Sequence, residues 1–122
     1  MAIAILNNYR QSPRKLRILA DLVRGKRADQ ALVALNALSK RGSLPLRKLI
    51  ESAIANAKHD KASASHLVVK EITVNGGPIL YRRMPRARGT AYPIRKRTSH
   101  CKVVLEEVHA QSEKSEKTVK KS

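Results

Sequence analysis

The sequence predicts an α+β fold in which three short helices are followed by two strands flanking a long basic hairpin arm. Three observations carry that expectation. Apolar residues recur at helical spacing in three successive segments between residues 12 and 59, and the period turns strand-like near residue 67. The stretch between the two strand patterns holds too few apolar residues to bury itself. Charge is equally uneven: 122 residues carry 26 Lys+Arg against 9 Asp+Glu, a formal net charge of +17. The hydrophobic share of 42% separates the chain from a disordered polycation, so a folded core with a basic exterior is expected. The length predicts a single domain, about 1–110, with the arm at about 79–98 and a Lys-rich tail at 111–122.

The first helix is predicted over about Ser12 to Arg24. Ser12 is a favoured N-cap type, and Pro13 suits the first helical position because its missing N–H had no intrahelical partner. Leu16, Leu19, Ala20 and Val23 form one apolar stripe, and Gly25 sits where a left-handed residue ends a helix. At 100° per residue, Arg14, Arg17 and Arg24 fall in one sector beside that stripe. Arg10, Lys15, Lys26 and Arg27 bring the count between Arg10 and Arg27 to seven basic residues against one acid, Asp21. That excess favours a binding face over a merely solvated one. The second helix, about Ala28 to Leu38, reads as core packing through Ala28, Ala31, Leu32, Leu35 and Leu38. The third runs from about Ser43 to His59, with Pro45 in its first turn and Leu46, Leu49, Ile50, Ala53 and Ala57 along one face. Its alanines point to close approach of another backbone, within the core.

Leu67 to Val74 is rich in β-branched residues, with Val68, Ile72 and Val74 sharing a parity. Thr98 to Val108 is the second strand pattern, with Cys101, Val103 and Leu105 on one face. From Ile72 through Leu105 there is no acid, and there are eight bases: Arg82, Arg83, Arg86, Arg88, Arg95, Lys96, Arg97 and Lys102. Six are Arg, whose planar fork binds phosphate bidentately, whereas Lys is a hydrated point charge. Strands running out from about Ile79 and back to about Thr98 would make arms of roughly ten residues and roughly 30 Å of reach. Met84-Pro85 and Arg88-Gly89 would break the pairing near the tip. Such an arm cannot pack on its own domain and is predicted to be ordered by an anionic partner. In the tail, Glu113/Lys117 and Glu116/Lys120 could support no more than a short helix.

Other classes fall away on composition. No run approaches the ~20 apolar residues of a membrane span, and Asn7-Asn8 interrupts the N-terminal apolar run too early for a signal peptide. A peripheral membrane role would need an amphipathic helix with large apolar anchors rather than a charged arm. The single Cys101 forms no internal disulfide, and His59, His66, His100 and His109 have no metal-ligand spacing. No nucleophile sits at recognisable spacing from them, Gly76-Gly77 opens no helix, and no cofactor motif is present, so no enzyme is expected. With no Trp or Phe and only Tyr9, Tyr81 and Tyr92, the charge is expected to meet phosphate mainly as charge. The same lack of large aromatics opposes a DNA-architectural dimer with wedging arms.

Four motifs in order carry a specific resemblance. They are Ser12-Pro13-Arg14-Lys15 through Leu22-Val23-Arg24-Gly25-Lys26; Ser52-Ala53-Ile54-Ala55-Asn56-Ala57 followed by His59; Met84-Pro85-Arg86-Ala87-Arg88-Gly89; and Ile94 with Lys96-Arg97-Thr98-Ser99-His100. Over about Ala4 to Val108 the chain resembles the large-subunit ribosomal protein L-twenty-two family, of bacterial type. The resemblance implies three helices packed on a small antiparallel sheet with a long protruding β-hairpin. It further implies a body bound to large-subunit ribosomal RNA near the outer opening of the polypeptide exit tunnel. The hairpin would line the tunnel, with its tip (Arg83, Met84, Pro85, Arg86, Ala87, Arg88, Gly89, Thr90, Ala91 and Tyr92) by the constriction. Partners implied are that RNA, neighbouring large-subunit proteins (one with its tip opposite) and the nascent polypeptide. The protein would act as a monomer within a cytoplasmic ribosome, or within an organellar one after removal of a targeting segment. Changes around Leu80 to Met84 would alter macrolide response by moving the tip rather than by touching the drug.

Overall fold

A computed structural model describes residues 1–60 and 66–108; the tail predicted at 111–122, with its Glu/Lys pairs, and His109 lie outside the described residues. Strand β1 (Ala2–Tyr9) leads into helices α1 (Pro13–Val23), α2 (Ala28–Ala37) and α3 (Ser43–His59). Then come β2 (Leu67–Gly76), a hairpin of β3 (Leu80–Pro85) and β4 (Ala91–Lys96), and β5 (Ser99–Glu107). The body sheet is antiparallel in the order β1-β5-β2, and β3-β4 form a separate two-stranded sheet.

All three helices start and end within a residue of the predicted bounds, because their stripes do bury. Leu16, Ala20 and Val23 from α1, Leu35 from α2, and Leu46 and Ile50 from α3 are almost wholly removed from water beside Ile72, Val103 and Leu105 of the sheet. Each large aliphatic contributes about 1.5–3 kcal/mol on burial, so a core without aromatics suffices. Leu32 and Leu38 pack only partly against it. Ser12 occupies the N-cap position of α1, but its side chain makes no capping bond, so Pro13 starts that helix. Gly25 adopts φ +78°, the left-handed end that its position predicts.

Strand β1 has no counterpart in the sequence reading, which assigns nothing regular before Ser12. The reason is an inverted alternation: Ala2 and Ala4 point inward and are buried, whereas Ile3 and Ile5 are 46% and 60% exposed. Helix α3 packs along β1, and the Asn56 side chain donates to the Ile3 carbonyl at 3.0 Å. Ala53 and Ala57 are buried on that helix, so the backbone they admit belongs to the protein's own strand.

Two strand details correct the sequence reading. Val68 does not share the buried parity of Ile72 and Val74; Leu67 and Val69 do the burying, and Val68 is half-buried. The cause is a bulge: Val69 faces Leu105 and Glu71 faces Val104, leaving Lys70 without an opposite residue and switching faces. The hairpin strands have six residues each rather than ten, with rungs from Leu80↔Lys96 to Pro85↔Ala91, giving about 20 Å of ladder. Every residue of β3 is exposed, and in β4 only Ile94 is less so.

Candidate nucleic-acid interface

The α1 basic flank and the arm meet, and α1 itself explains how. This helix runs antiparallel to β2 along that strand's outer edge. At one end the Gly25 N–H donates to the Val69 carbonyl, and the Val69 N–H donates to the Lys26 carbonyl. Further along, Arg24 Nη2 donates to the Ile72 carbonyl at 2.9 Å and Arg17 Nε donates to the Val74 carbonyl at 3.1 Å. At the other end Pro13 lies against Gly76, where β2 gives way to the arm. The Ser99 hydroxyl donates to the Gln11 carbonyl, fastening the start of α1 to the return strand. The root of the hairpin is closed by the Gly77 N–H on the Thr98 carbonyl and by the Thr98 hydroxyl on the Pro78 carbonyl.

Arg17 and Arg24 therefore have a structural occupation that charge counting does not reveal. Their guanidiniums cap carbonyls on an edge strand that would otherwise present unpaired acceptors. Arg24 also holds Asp21 at 2.6 Å, but with side chains 50% and 67% exposed that ion pair contributes little. Arg10 and Arg14 are exposed, Lys15 is exposed on the flank of α1 opposite Arg17 and Arg24, Arg27 is exposed at its bridge to Val68, and Lys26 is half-buried. Lys102 belongs with neither the helix flank nor the arm. It is exposed on the central strand β5, opposite Ile5 of β1 and Thr73 of β2.

The arm presents two unlike faces, since residues opposite one another in an antiparallel ladder share a face. One carries Leu80, Arg82, Met84, Tyr92, Ile94 and Lys96; the other carries Tyr81, Arg83, Pro85, Ala91, Pro93 and Arg95. Arg82 donates back to the Tyr81 carbonyl at 2.9 Å, which keeps its guanidinium close to the backbone. At the tip, Ala87–Gly89 form one 3₁₀ turn, closed by the Arg86 N–H on the Thr90 carbonyl. Arg88 takes φ +62° and Gly89 φ +69°, so a non-glycine residue holds a left-handed conformation there. Arg86, Arg88, Arg95, Lys96 and Arg97 are all exposed.

Tyr81 and Tyr92 are 57% and 51% exposed, although composition alone offers no reason to place either on the surface. The Arg86 guanidinium stands over the Tyr92 ring at 5.8 Å. Only the strand register could reveal this, because it sets Tyr92 opposite Met84. Cys101 is buried, its thiol pushed up by desolvation, and it behaves as a small core hydrophobe.

Among the described residues there is no cluster of three metal-ligating side chains, and no helix is long and apolar enough to cross a membrane. A small α+β body thus continues into an acid-free, arginine-rich arm. The family model described as "Ribosomal protein L22p/L17e" matches residues 4–106. A relative from Desulfotalea psychrophila, "Large ribosomal subunit protein uL22", is 50% identical over 107 residues, 87% of this chain and 97% of its own length. Proteins of the same name from Herpetosiphon aurantiacus and Bdellovibrio bacteriovorus are each 48% identical, over 87% and 85% of this chain and 95% and 96% of their own lengths. The chain belongs to the L22p/L17e family of ribosomal proteins. It is a component of the large ribosomal subunit and not an enzyme.

Proposed function

We propose that the protein binds large-subunit ribosomal RNA through one continuous basic track. The track runs along α1 from Arg27, Lys26 and Arg24 through Arg17, Lys15, Arg14 and Arg10 to the arm root. It continues through Arg97, Lys96, Arg95, Arg82, Arg83, Arg86 and Arg88, with Lys102 as a separate contact on the sheet. The observation that carries this reading is an arm with no acidic residue and a wholly exposed β3, joined at its root to the α1 flank. A two-stranded ribbon without a core of its own is marginal in water. Arginines close together repel unless phosphates lie between them, so the arm's stability and its partner's charge are linked.

In this reading the body recognises folded RNA by shape and phosphate contacts, and the hairpin passes between RNA segments to line the exit tunnel. Residues 83–92 form the tunnel-side tip and offer a surface to the nascent polypeptide. The protein works as a monomer among neighbouring large-subunit proteins in a cytoplasmic ribosome and supports subunit assembly. The test is charge reversal of Arg86, Arg88 and Arg95 to Glu. The body should remain folded while incorporation into large subunits falls, and crosslinks from the tip to tunnel RNA should disappear. Unchanged incorporation and crosslinking would refute the arm's role.

A further inference from the structure

Within the arm, one spot differs from its surroundings. Tyr92 and its cross-strand partner Met84 are about half exposed and share a face with Leu80 and Ile94, with the Arg86 guanidinium 5.8 Å from the ring centroid. Met84, Arg86, Ala87 and Tyr92 line a shallow hollow open to solvent. An exposed tyrosine beside an exposed methionine keeps a flat apolar surface in water, uncovered by any of the described residues of the body. Arg86 at the ring, with Arg82 on the same face and Arg88 at the tip, selects a partner that brings negative charge to the same place. An apolar peptide side chain would cover the ring but leave the guanidiniums unmatched. A nucleobase attached to its phosphate satisfies both, stacking on the ring while Arg86 keeps its cation–π position or turns to the phosphate.

We propose that Tyr92, backed by Met84 and flanked by Arg86, is a stacking platform for a single unpaired RNA base. This rests on the RNA-binding reading above and adds to it one base-level contact in an otherwise phosphate-directed arm. The full chain is titrated with two RNA stems of equal length, one with a single bulged 2-aminopurine and one fully paired. Tyr92→Phe keeps the ring, and Tyr92→Thr removes it while retaining a strand-forming side chain.

Wild type and Tyr92→Phe should quench the 2-aminopurine and prefer the bulged stem. Tyr92→Thr should lose the quench and bind the bulged stem about 5- to 150-fold more weakly, the range of one base–aromatic stack, with less than about twofold change on the paired stem. Equal loss on both stems, or quenching that survives Tyr92→Thr, would overturn the platform. So would Tyr92→Thr weakening a crosslink to an uncharged Leu/Phe peptide while leaving both RNAs unaffected, which would assign the spot to polypeptide. Absence of salt-dependent binding by wild type to either stem would instead remove the RNA-binding reading itself, a separate and recognisable failure.

Discussion

Arg24→Ala separates the two occupations of the α1 arginines. In the structure Arg24 donates to the Ile72 carbonyl at 2.9 Å on the outer edge of β2, and its ion pair with Asp21 is half in water. A hydrogen bond from a charged donor contributes about 1.5–3 kcal/mol, and the exposed ion pair adds about 0–1 kcal/mol. Water can reach the vacated carbonyl, so the lower end applies and the loss should be about 1.5–2 kcal/mol. For a body of this size that is about 6–10 °C in Tm. Arg24→Lys retains the charge but not the fork, and should recover less than half of the loss. Arg14 makes no hydrogen bond or ion pair with the described residues, so Arg14→Ala should leave stability within about 0.5 kcal/mol. The assay is thermal unfolding followed by far-ultraviolet circular dichroism, paired with RNA affinity measured against salt. Arg14→Ala should flatten the log–log salt slope by roughly 0.7–0.9 at unchanged Tm. If Arg24→Ala unfolds with wild-type Tm, the edge-capping argument is wrong.

Gly42 has helical φ and ψ, so its smallness serves space: a Cβ there would stand 2.7 Å from Leu16 and 2.9 Å from Leu19 in the core. Gly42→Ala should therefore destabilise by about 1–3 kcal/mol despite the entropy alanine saves, and equal or higher stability in denaturant melts would contradict the close packing. Gly25 is the opposite case, with φ +78° and open space around its Cβ position. Gly25→Ala should cost about 1 kcal/mol and Gly25→Asn less, checked by the same melts. The Cys101 thiol has its pKa raised by burial, so the folded state holds that proton more tightly than the unfolded chain. Its contribution is complete below the ordinary thiol value of 9.0 and is lost as pH rises beyond it. Wild type should thus lose stability relative to Cys101→Val as pH rises above 9.0, and parallel curves would refute this. Amides of β3 and β4 should exchange much faster in the free protein than those of β5, and strong protection of the arm without RNA would contradict ordering by a partner.

Helix positions were legible because Leu16, Leu19, Ala20 and Val23, and their equivalents in α2 and α3, obey one period and bury as that period requires. Strand β1 was not, because its small residues face inward and its isoleucines outward, which reverses the cue that hydropathy supplies. The bulge at Lys70 was equally hidden, since it depends on pairing with Val104 and Leu105, about 35 residues further along the chain. Among the candidate site residues, sequence identified the acid-free arm and the α1 flank from charge alone. It could not distinguish Arg14, free to meet a phosphate, from Arg17 and Arg24, whose partners lie 57 and 48 residues away. Nor could it divide the arm into faces before a register existed.

Sheet order sets a timetable for the molecule. Both outer strands of the body, β1 and β2, find their ladder partner in β5, which is the last described strand to be synthesised. At about 5–20 residues per second, the Ala2–Tyr9 segment waits about 5–20 s for residue 99 and its successors to be made. During that interval α1 to α3 can form, but Ile3 and Ile5 belong to an unpaired strand of the kind that pairs with other chains. Completion of the body is thus a late, single event of translation, and premature termination anywhere before β5 yields a chain with helices and no body sheet.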